Sequence, residues 1–160
     1  MKNWFKKYSN NKRIEDNTPW QLDNVYKRNK ESPYTFYKPS KAVTDKLKAG
    51  DLVKLIFFSD SDQAGYKGER MWVEITDRNK ENFVGNLDNE PYHLKSLKLG
   101  QTLHFDTEHI CDTEYEDDDA AKMDYYFDTL VTVSNDVLER NEFGQFDKIH
   151  DYDWETYLSE

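Results

Sequence analysis

A chain of 160 residues fits one domain, and its 11 Tyr, 9 Phe and 4 Trp residues supply apolar surface for a core. Cys111 is the single cysteine, which excludes a disulfide framework within the chain. No apolar run approaches the roughly 20 residues that a membrane helix needs, and the N-terminus lacks the apolar stretch of a secretory signal. These features predict a cytoplasmic protein without a membrane partner.

The net charge of −10 is spread unevenly along the chain. Residues 1–30 carry 8 basic and 3 acidic side chains, residues 31–105 carry 11 of each, and residues 106–160 carry 3 basic and 18 acidic ones. Such a field repels nucleic acid and attracts a basic protein partner. Two simpler explanations remain open: a solvated acidic face, and pairing of the basic start of the chain with its acidic end.

Residues 1–39 are predicted to form a basic N-terminal arm, whose scattered aromatic side chains favour docking on the rest of the protein. Thr18-Pro19 is typical of the start of a short helix. Ser40 is the predicted N-cap of a further helix over residues 41–49, and Gly50 is its predicted left-handed C-cap. We expect that helix to cover one open end of the core.

Alternation of apolar and polar side chains predicts several short strands between residues 51 and 105. The side chains expected to face the core from the first two strands are Val53, Leu55, Phe57, Met71, Val73 and Ile75. Gly85 in the middle of the third strand indicates a bulge or a close backbone approach. Leu94, Leu97 and Leu99 suit a helical turn before a last strand.

Short strands joined by hairpins predict an α+β fold over residues 40–110. Its expected core is a small antiparallel β-barrel or half-barrel with short flanking helices.

Residues 111–160 are predicted to form an acidic C-terminal extension. A helix is expected over residues 120–130, with Met123, Phe127 and Leu130 on one face. Residues 129–133 suit a strand equally well, and a short helix is expected to begin at Val137.

Three linked motifs within residues 50–110 resemble a bacterial family of unknown function. They are Met71-Trp72-Val73, Gly85-x-Leu87-x-Asn89-x-Pro91 and Leu97-Lys98-x-Gly100. That family usually has an acid after the last glycine, where this chain has Gln101. Residues 133–138 resemble the opening of a module catalogued among immunity proteins of polymorphic toxin systems. The resemblance implies a shortened, degenerate copy of that module in the extension, and it carries over no catalytic residues.

Short patterns that could bind metals or perform catalysis are incomplete in this sequence. The segment 60–65 resembles the start of an EF-hand loop, but Ala64 and Met71 stand where calcium needs oxygen ligands. His104 and His109 are five residues apart, unlike the i, i+4 pair of a zincin. Cys111 near His109 is more often a small buried residue than a nucleophile. We therefore predict no metal, no cofactor and no enzymatic activity.

The candidate partner-binding surface is centred on Trp72, which lies on the strand face opposite Met71 and Val73. Its predicted members are Trp72, Asn89, Glu90, Pro91, Tyr92, Asp117, Asp118 and Asp119. Trp72 is either covered by the N-terminal arm or exposed to a partner, where aromatic side chains serve as anchors.

The sequence favours a non-enzymatic protein-binding module, of the immunity type that neutralises a toxin. The alternatives are an acidic DNA-mimic inhibitor of a nucleic-acid-binding protein, and an uncharacterised enzyme. The oligomeric state does not follow from these patterns.

Overall fold

A computed structural model describes residues 20–59, 68–94 and 96–142, without the side chains of Ser59 and of residues 136–142. The strands are β1 (Trp20–Leu22), β2 (Leu52–Ser59), β3 (Glu69–Asn79), β4 (Asn82–Leu87), β5 (Thr102–Asp106) and β6 (Ile110–Thr113). The helices are α1 (Val25–Glu31), α2 (Lys41–Thr44) and α3 (Asp118–Glu142), and a 3-10 turn occupies Thr107–His109. No helix in these ranges combines the length and the apolar character that crossing a bilayer requires.

The strands form one antiparallel sheet that curls toward closure. β3 pairs with β2 and β4, and β5 pairs with β4. The other edge of β2 is shared, because β1 pairs with its residues 57–59 and β6 with its residues 53–55. Only the 3-10 turn separates β5 from β6, although they lie at opposite sides of the sheet. The sheet must therefore bend, which confirms the predicted α+β fold with an antiparallel, nearly closed barrel.

The inner face of the curled sheet holds the main core. Its buried side chains are Trp20, Leu47, Val53, Leu55, Phe57, Met71, Val73, Ile75, Phe83, Leu87, Leu94, Leu97, Leu103, Phe105 and Ile110. Phe83 and Phe105 stack across β4 and β5 with ring centroids 5.3 Å apart. The core-facing residues predicted for the first two long strands are confirmed. Burial of each large side chain contributes roughly 1.5–3 kcal/mol.

The outer face of the sheet carries a second, smaller apolar layer. Val25 of α1, Ile56 of β2 and Cys111 of β6 are buried together, and Phe36 packs against them. α3 packs beside this layer against the segment that follows α1, where the Thr129 hydroxyl donates to the Pro33 carbonyl at 3.2 Å. α1 and α3 thus cover part of the outer face of the sheet.

Two predicted elements around the core differ from the structure. α2 ends at Thr44 instead of residue 49, and Gly50, with φ +97°, does not cap it but donates its N–H to the Ile75 carbonyl. The predicted helical turn of three leucines is wrong. Leu94 and Leu97 are buried, while Leu99 is 54% exposed and no described helix includes them.

α3 is longer than predicted and packs through a different face. It continues through residues 129–133, so the alternative strand is wrong, as is a separate helix beginning at Val137. Met123 and Phe127 are 67% and 61% exposed. The described α3 side chains that are buried are Tyr126, Asp128, Thr129 and Val133. Polar side chains pack inward here because they find hydrogen-bonding partners, which apolar spacing does not register.

The sheet draws on all three predicted segments. β1 and α1 belong to the predicted arm, and β6 runs across the boundary expected at residues 110–111. The predicted helix start at Thr18-Pro19, the loop at 60–65 and the end of the extension after residue 142 lie outside the described residues.

Gly85 allows β3 and β4 to approach closely, as its position in the strand predicts. A Cβ atom at this position would lie 2.5 Å from Val73 Cγ1 and 2.6 Å from the Glu74 carbonyl oxygen. The register of β3 shifts next to its partner Ile75, between Ile75 and Asp77.

We expect Gly85→Ala to lower the free energy of unfolding by about 1–3 kcal/mol, because the methyl group must displace backbone. Urea unfolding followed by circular dichroism measures the change. Asn86→Ala, at the exposed neighbouring position on β4, is the control and should cost less than ~1 kcal/mol. An equally stable Gly85→Ala variant would contradict the close approach.

Arg78 of β3 ties α2 to the sheet. Its Nη1 donates to the carbonyl oxygens of Thr44 and Leu47, each at 2.8 Å. Its Nε donates to the backbone carbonyl oxygen of Lys80 at 2.7 Å. The guanidinium carbon lies 4.5 Å from the ring centroid of Phe83. A planar fork of donors satisfies carbonyl groups of separate segments at once.

Arg78→Ala is expected to lower the free energy of unfolding by about 2–3 kcal/mol, and Arg78→Lys by about 1–2 kcal/mol, because one ammonium cannot reach all three carbonyl groups. Lys48→Ala removes an exposed ion pair with Asp51 and should cost less than ~0.5 kcal/mol. The same urea titration compares the three variants. If Arg78→Lys lowers the free energy of unfolding no more than Lys48→Ala does, then a positive charge at position 78 suffices and the hydrogen bonds of the guanidinium contribute little.

Candidate functional site

An open groove of about 750 Å³ lies between the outer face of β3 and the start of α3. Its aromatic lining consists of Tyr37, Trp72, Tyr115, Tyr125 and Tyr126. Its acidic lining consists of Asp112, Glu114, Glu116, Asp117 and Asp118, and Lys122 is the basic residue among them. The groove therefore combines aromatic rings with an excess of negative charge.

The start of α3 places the acidic side chains along this groove. Asp117 precedes the helix, and its Oδ1 accepts a hydrogen bond from the backbone N–H of Ala120 at 2.8 Å. Asp118 and Asp119 occupy the first helical turn, where carboxylates stabilise the positive end of the helix dipole. These acids thus have a structural role in addition to any role in binding, and their side chains stay exposed.

Two tyrosine hydroxyls along the groove connect β6 and the segment that follows it to α3. Tyr125 donates to Asp112, and Tyr115 donates to Asp124 Oδ2 at 2.7 Å. Tyr37 stacks on Tyr125 with ring centroids 5.9 Å apart, while Tyr115 meets Tyr125 edge-on at 5.5 Å. Burial, followed by the hydrogen bond to a carboxylate, raises the pKa of Tyr115 and Tyr125. Both phenols therefore remain protonated donors at neutral pH.

Trp72 is half-buried at the sheet side of the groove. Lys54, its direct neighbour on β2, places Nζ 4.7 Å from the Trp72 ring centroid. The backbone N–H of Trp72 donates to Asn89 Oδ1, and the Trp72 carbonyl accepts from Asp88 at 2.8 Å. Tyr37 of the predicted arm lines the same groove. The predicted cover of Trp72 by the earlier part of the arm, residues 1–19, lies outside the described residues.

The turn after β4 is held by a carboxylate that the sequence did not single out. Glu69 accepts hydrogen bonds from the backbone N–H groups of Tyr92, His93 and Leu94. Tyr92 stays exposed and meets the His93 ring edge-on at 4.6 Å. These bonds tie the turn to β3, while the Tyr92 side chain remains 75% exposed.

The structure brings together only part of the predicted partner-binding set. Trp72, Asp117 and Asp118 line the groove, and Asn89 bonds to the Trp72 backbone. The groove lining does not include Glu90, Pro91, Tyr92 or Asp119. The predicted set leaves out Glu114 and Glu116, which belong to the acidic run recognised in the sequence and line the groove. Sequence reasoning missed Tyr37, Tyr115 and Tyr125, although the tyrosines interleaved with that run were a usable signal. Partner binding by any of these residues stays a prediction.

A second polar cluster lies at the turn between β5 and β6. Asp106, Glu108 and His109 offer ligand atoms within 4.8 Å of one another. His109 Nδ1 accepts the backbone N–H of Asp106 at 2.9 Å, so the neutral ring carries its proton on Nε2. That nitrogen then offers no lone pair, and the donor set fits a metal ion poorly.

Burial perturbs the titrating groups of this turn. It lowers the pKa of His109 to about 4 and raises the pKa of Asp106, with repulsion from Glu108, to about 6. Burial also raises the pKa of the Cys111 thiol to about 11, so this thiol stays protonated at neutral pH. Cys111 and His109, which the sequence brings into question as nucleophile and base, are thus both uncharged at neutral pH.

The pKa values of His109 and Asp106 predict opposite effects of pH on stability. As pH falls from 6.5 toward 4, the unfolded chain binds a proton at His109 that the folded chain does not, so stability falls. As pH falls from 6 toward 3.8, the folded chain protonates Asp106 first, so stability rises. The loss of unfolding free energy between pH 7.5 and pH 4.5, from urea titrations, should shrink in His109→Asn and grow in Asp106→Asn. Identical pH profiles for both variants would contradict these pKa values.

The comparison with protein families covers most of the chain. Residues 21–152 match the model of DUF2314, a family described as an uncharacterized protein conserved in bacteria. No curated protein and no solved structure matches the chain. The match extends beyond the motifs of residues 50–110, taking in the predicted arm from residue 21 onward and the whole of α3. The chain therefore belongs to DUF2314, an uncharacterised family conserved in bacteria.

Proposed function

We propose that this chain is a non-enzymatic intracellular protein-binding module of the immunity type, which neutralises a toxin by binding a basic surface on it. The observation that carries the proposal is the groove at the start of α3. Glu114, Glu116 and Asp118 line it and remain exposed. Because β6 and α3 flank these acids, their attraction for a basic partner is directed to one place on the surface.

The chain beyond the acidic run adds sequence support for this proposal. Residues 133–138 resemble the opening of a module found among immunity proteins of polymorphic toxin systems. In the structure they belong to α3, and Val133 is buried. Met123 and Phe127 are exposed apolar side chains of the same helix, outside the groove lining, and they offer additional contact area to a partner.

The proposal is tested with the full chain and the basic toxin domain encoded by a neighbouring gene. We expect the two proteins to co-purify and the toxin to lose activity in the complex. Glu114→Gln combined with Glu116→Gln should weaken binding at least ~10-fold at low salt, by raising the dissociation rate and lowering the association rate. Isothermal titration calorimetry at several salt concentrations measures the affinity.

The matched control is Glu31→Gln combined with Asp45→Asn, which removes two exposed acids outside the groove. It should change the affinity less than ~3-fold. An equal loss of affinity for the toxin domain in the two double variants would reject the groove as the binding site. Competition by duplex DNA for the same partner, with a steep loss of affinity in salt, would replace the immunity role by a DNA-mimic role. Failure to bind any basic neighbour would contradict the proposal.

A further inference from the structure

Aromatic rings along the groove already hold the protein's own cations. Lys54 Nζ lies 4.7 Å from the ring centroid of Trp72, and Lys122 Nζ lies 5.5 Å from that of Tyr126. Both distances fall within the range at which the negative face of an aromatic ring attracts a cation. These contacts show that two rings of the groove present their faces, rather than their edges, to positive groups.

The carboxylates of the groove exceed what its own lysine balances. Of the residues that the structure describes, five acids and one lysine make up the charged lining, and Lys54 adds a second positive charge against the Trp72 ring. Asp112 and Asp117 bond to Tyr125 and Ala120, whereas Glu114 and Glu116 are exposed and can turn toward a ligand. An incoming cation would therefore meet aromatic faces and at least two carboxylates that can adjust to it.

The size of the groove sets what can enter. A volume of about 750 Å³ in an open groove exceeds the needs of a single ion and suits a side chain together with its flanking backbone. Nucleic acid is disfavoured because its phosphates would face the acidic lining. The charge and the aromatic lining together select a basic segment of a protein.

We propose that the groove receives one cationic side chain, a guanidinium or an ammonium group, from a basic segment of the partner protein, over the Trp72 ring and facing Glu114 and Glu116. This inference rests on the proposed function and names the chemistry of its binding site. Lys54 competes with the incoming cation, because it already lies against the Trp72 ring and carries the same charge.

Small cations test the site without the partner. The probes are N-acetyl-arginine amide and N-acetyl-lysine amide, with N-acetyl-citrulline amide as the neutral analogue of the same shape. The readout is the indole N–H signal of Trp72 in ¹H–¹⁵N spectra of the full chain, identified by its loss in Trp72→Leu. We expect saturable shifts with a dissociation constant of roughly millimolar size for the cations and at least ~10-fold weaker binding of citrulline. The tighter of the two cations identifies the preferred group.

Variants of the groove separate the contributions of charge and ring. Lys54→Met should tighten cation binding by roughly 2–5-fold, because it removes the competing ammonium, whereas Lys48→Met on the exposed turn before β2 should not change it. Glu114→Gln combined with Glu116→Gln should weaken binding by roughly 3–10-fold. Urea titration of each variant verifies that it is folded.

Equal binding of the citrulline and arginine amides would overturn the inference. So would the absence of any shift in the Trp72 indole N–H signal up to the solubility limit of the probes. So would weaker cation binding in Lys54→Met. The outcome is distinguishable from that of the proposed function. A toxin that binds through the acids while no cation probe shifts Trp72 rejects only the inference, and cation binding without any toxin partner rejects only the immunity role.

Discussion

The three-residue turn between β5 and β6 is the constraint on which the rest of the molecule depends. β5 pairs with β4 at one side of the sheet, while β6 pairs with β2, so the short connection forces the sides together. The turn buries Thr107 and His109, and burial of such polar groups is costly unless they are hydrogen-bonded. The Thr107 N–H donates to the Glu81 carbonyl at 3.0 Å, and His109 Nδ1 accepts from Asp106. With these bonds made, closure of the sheet encloses the main core.

Closure of the sheet also creates the surface that carries the candidate site. Once the inner face is filled, the outer face of β2, β3 and β6 must be covered by helices or left to solvent. α3 is held there by a buried ion pair between Lys38 Nζ and Asp128 Oδ1 at 2.9 Å, and by the contact of Asp124 with the Ser40 N–H at 3.0 Å. A shift of α3 would separate this pair and leave a buried charge without compensation, which is costly. The ion pair therefore fixes the position of α3. The groove is the strip of outer face, around Trp72, that this helix leaves open.

Local patterns predicted the inner face well and the outer face poorly. Alternation identified Val53, Leu55 and Phe57 as core residues, because a strand with one buried face shows a period of two. The glycine within the strand pattern identified Gly85 as a place of close backbone approach. β6 was missed because four residues next to a dense acidic run carry too little pattern. The packed face of α3 was missed because Thr129 and Asp128 are buried through bonds to Pro33 and Lys38, which lie about 90 positions earlier in the chain.

The sequence by itself determined the antiparallel α+β class, the strand faces that form the core, the family motifs and the acidic sign of the second half. Each of these depends on neighbouring residues or on simple summation, so no knowledge of distant contacts is needed. Only the tertiary structure decided that Tyr37, Trp72 and Tyr115 share one groove with Asp117. Contacts among segments so far apart arise from the closure of the sheet and the placement of α3 across it, and neither leaves a local pattern in the chain.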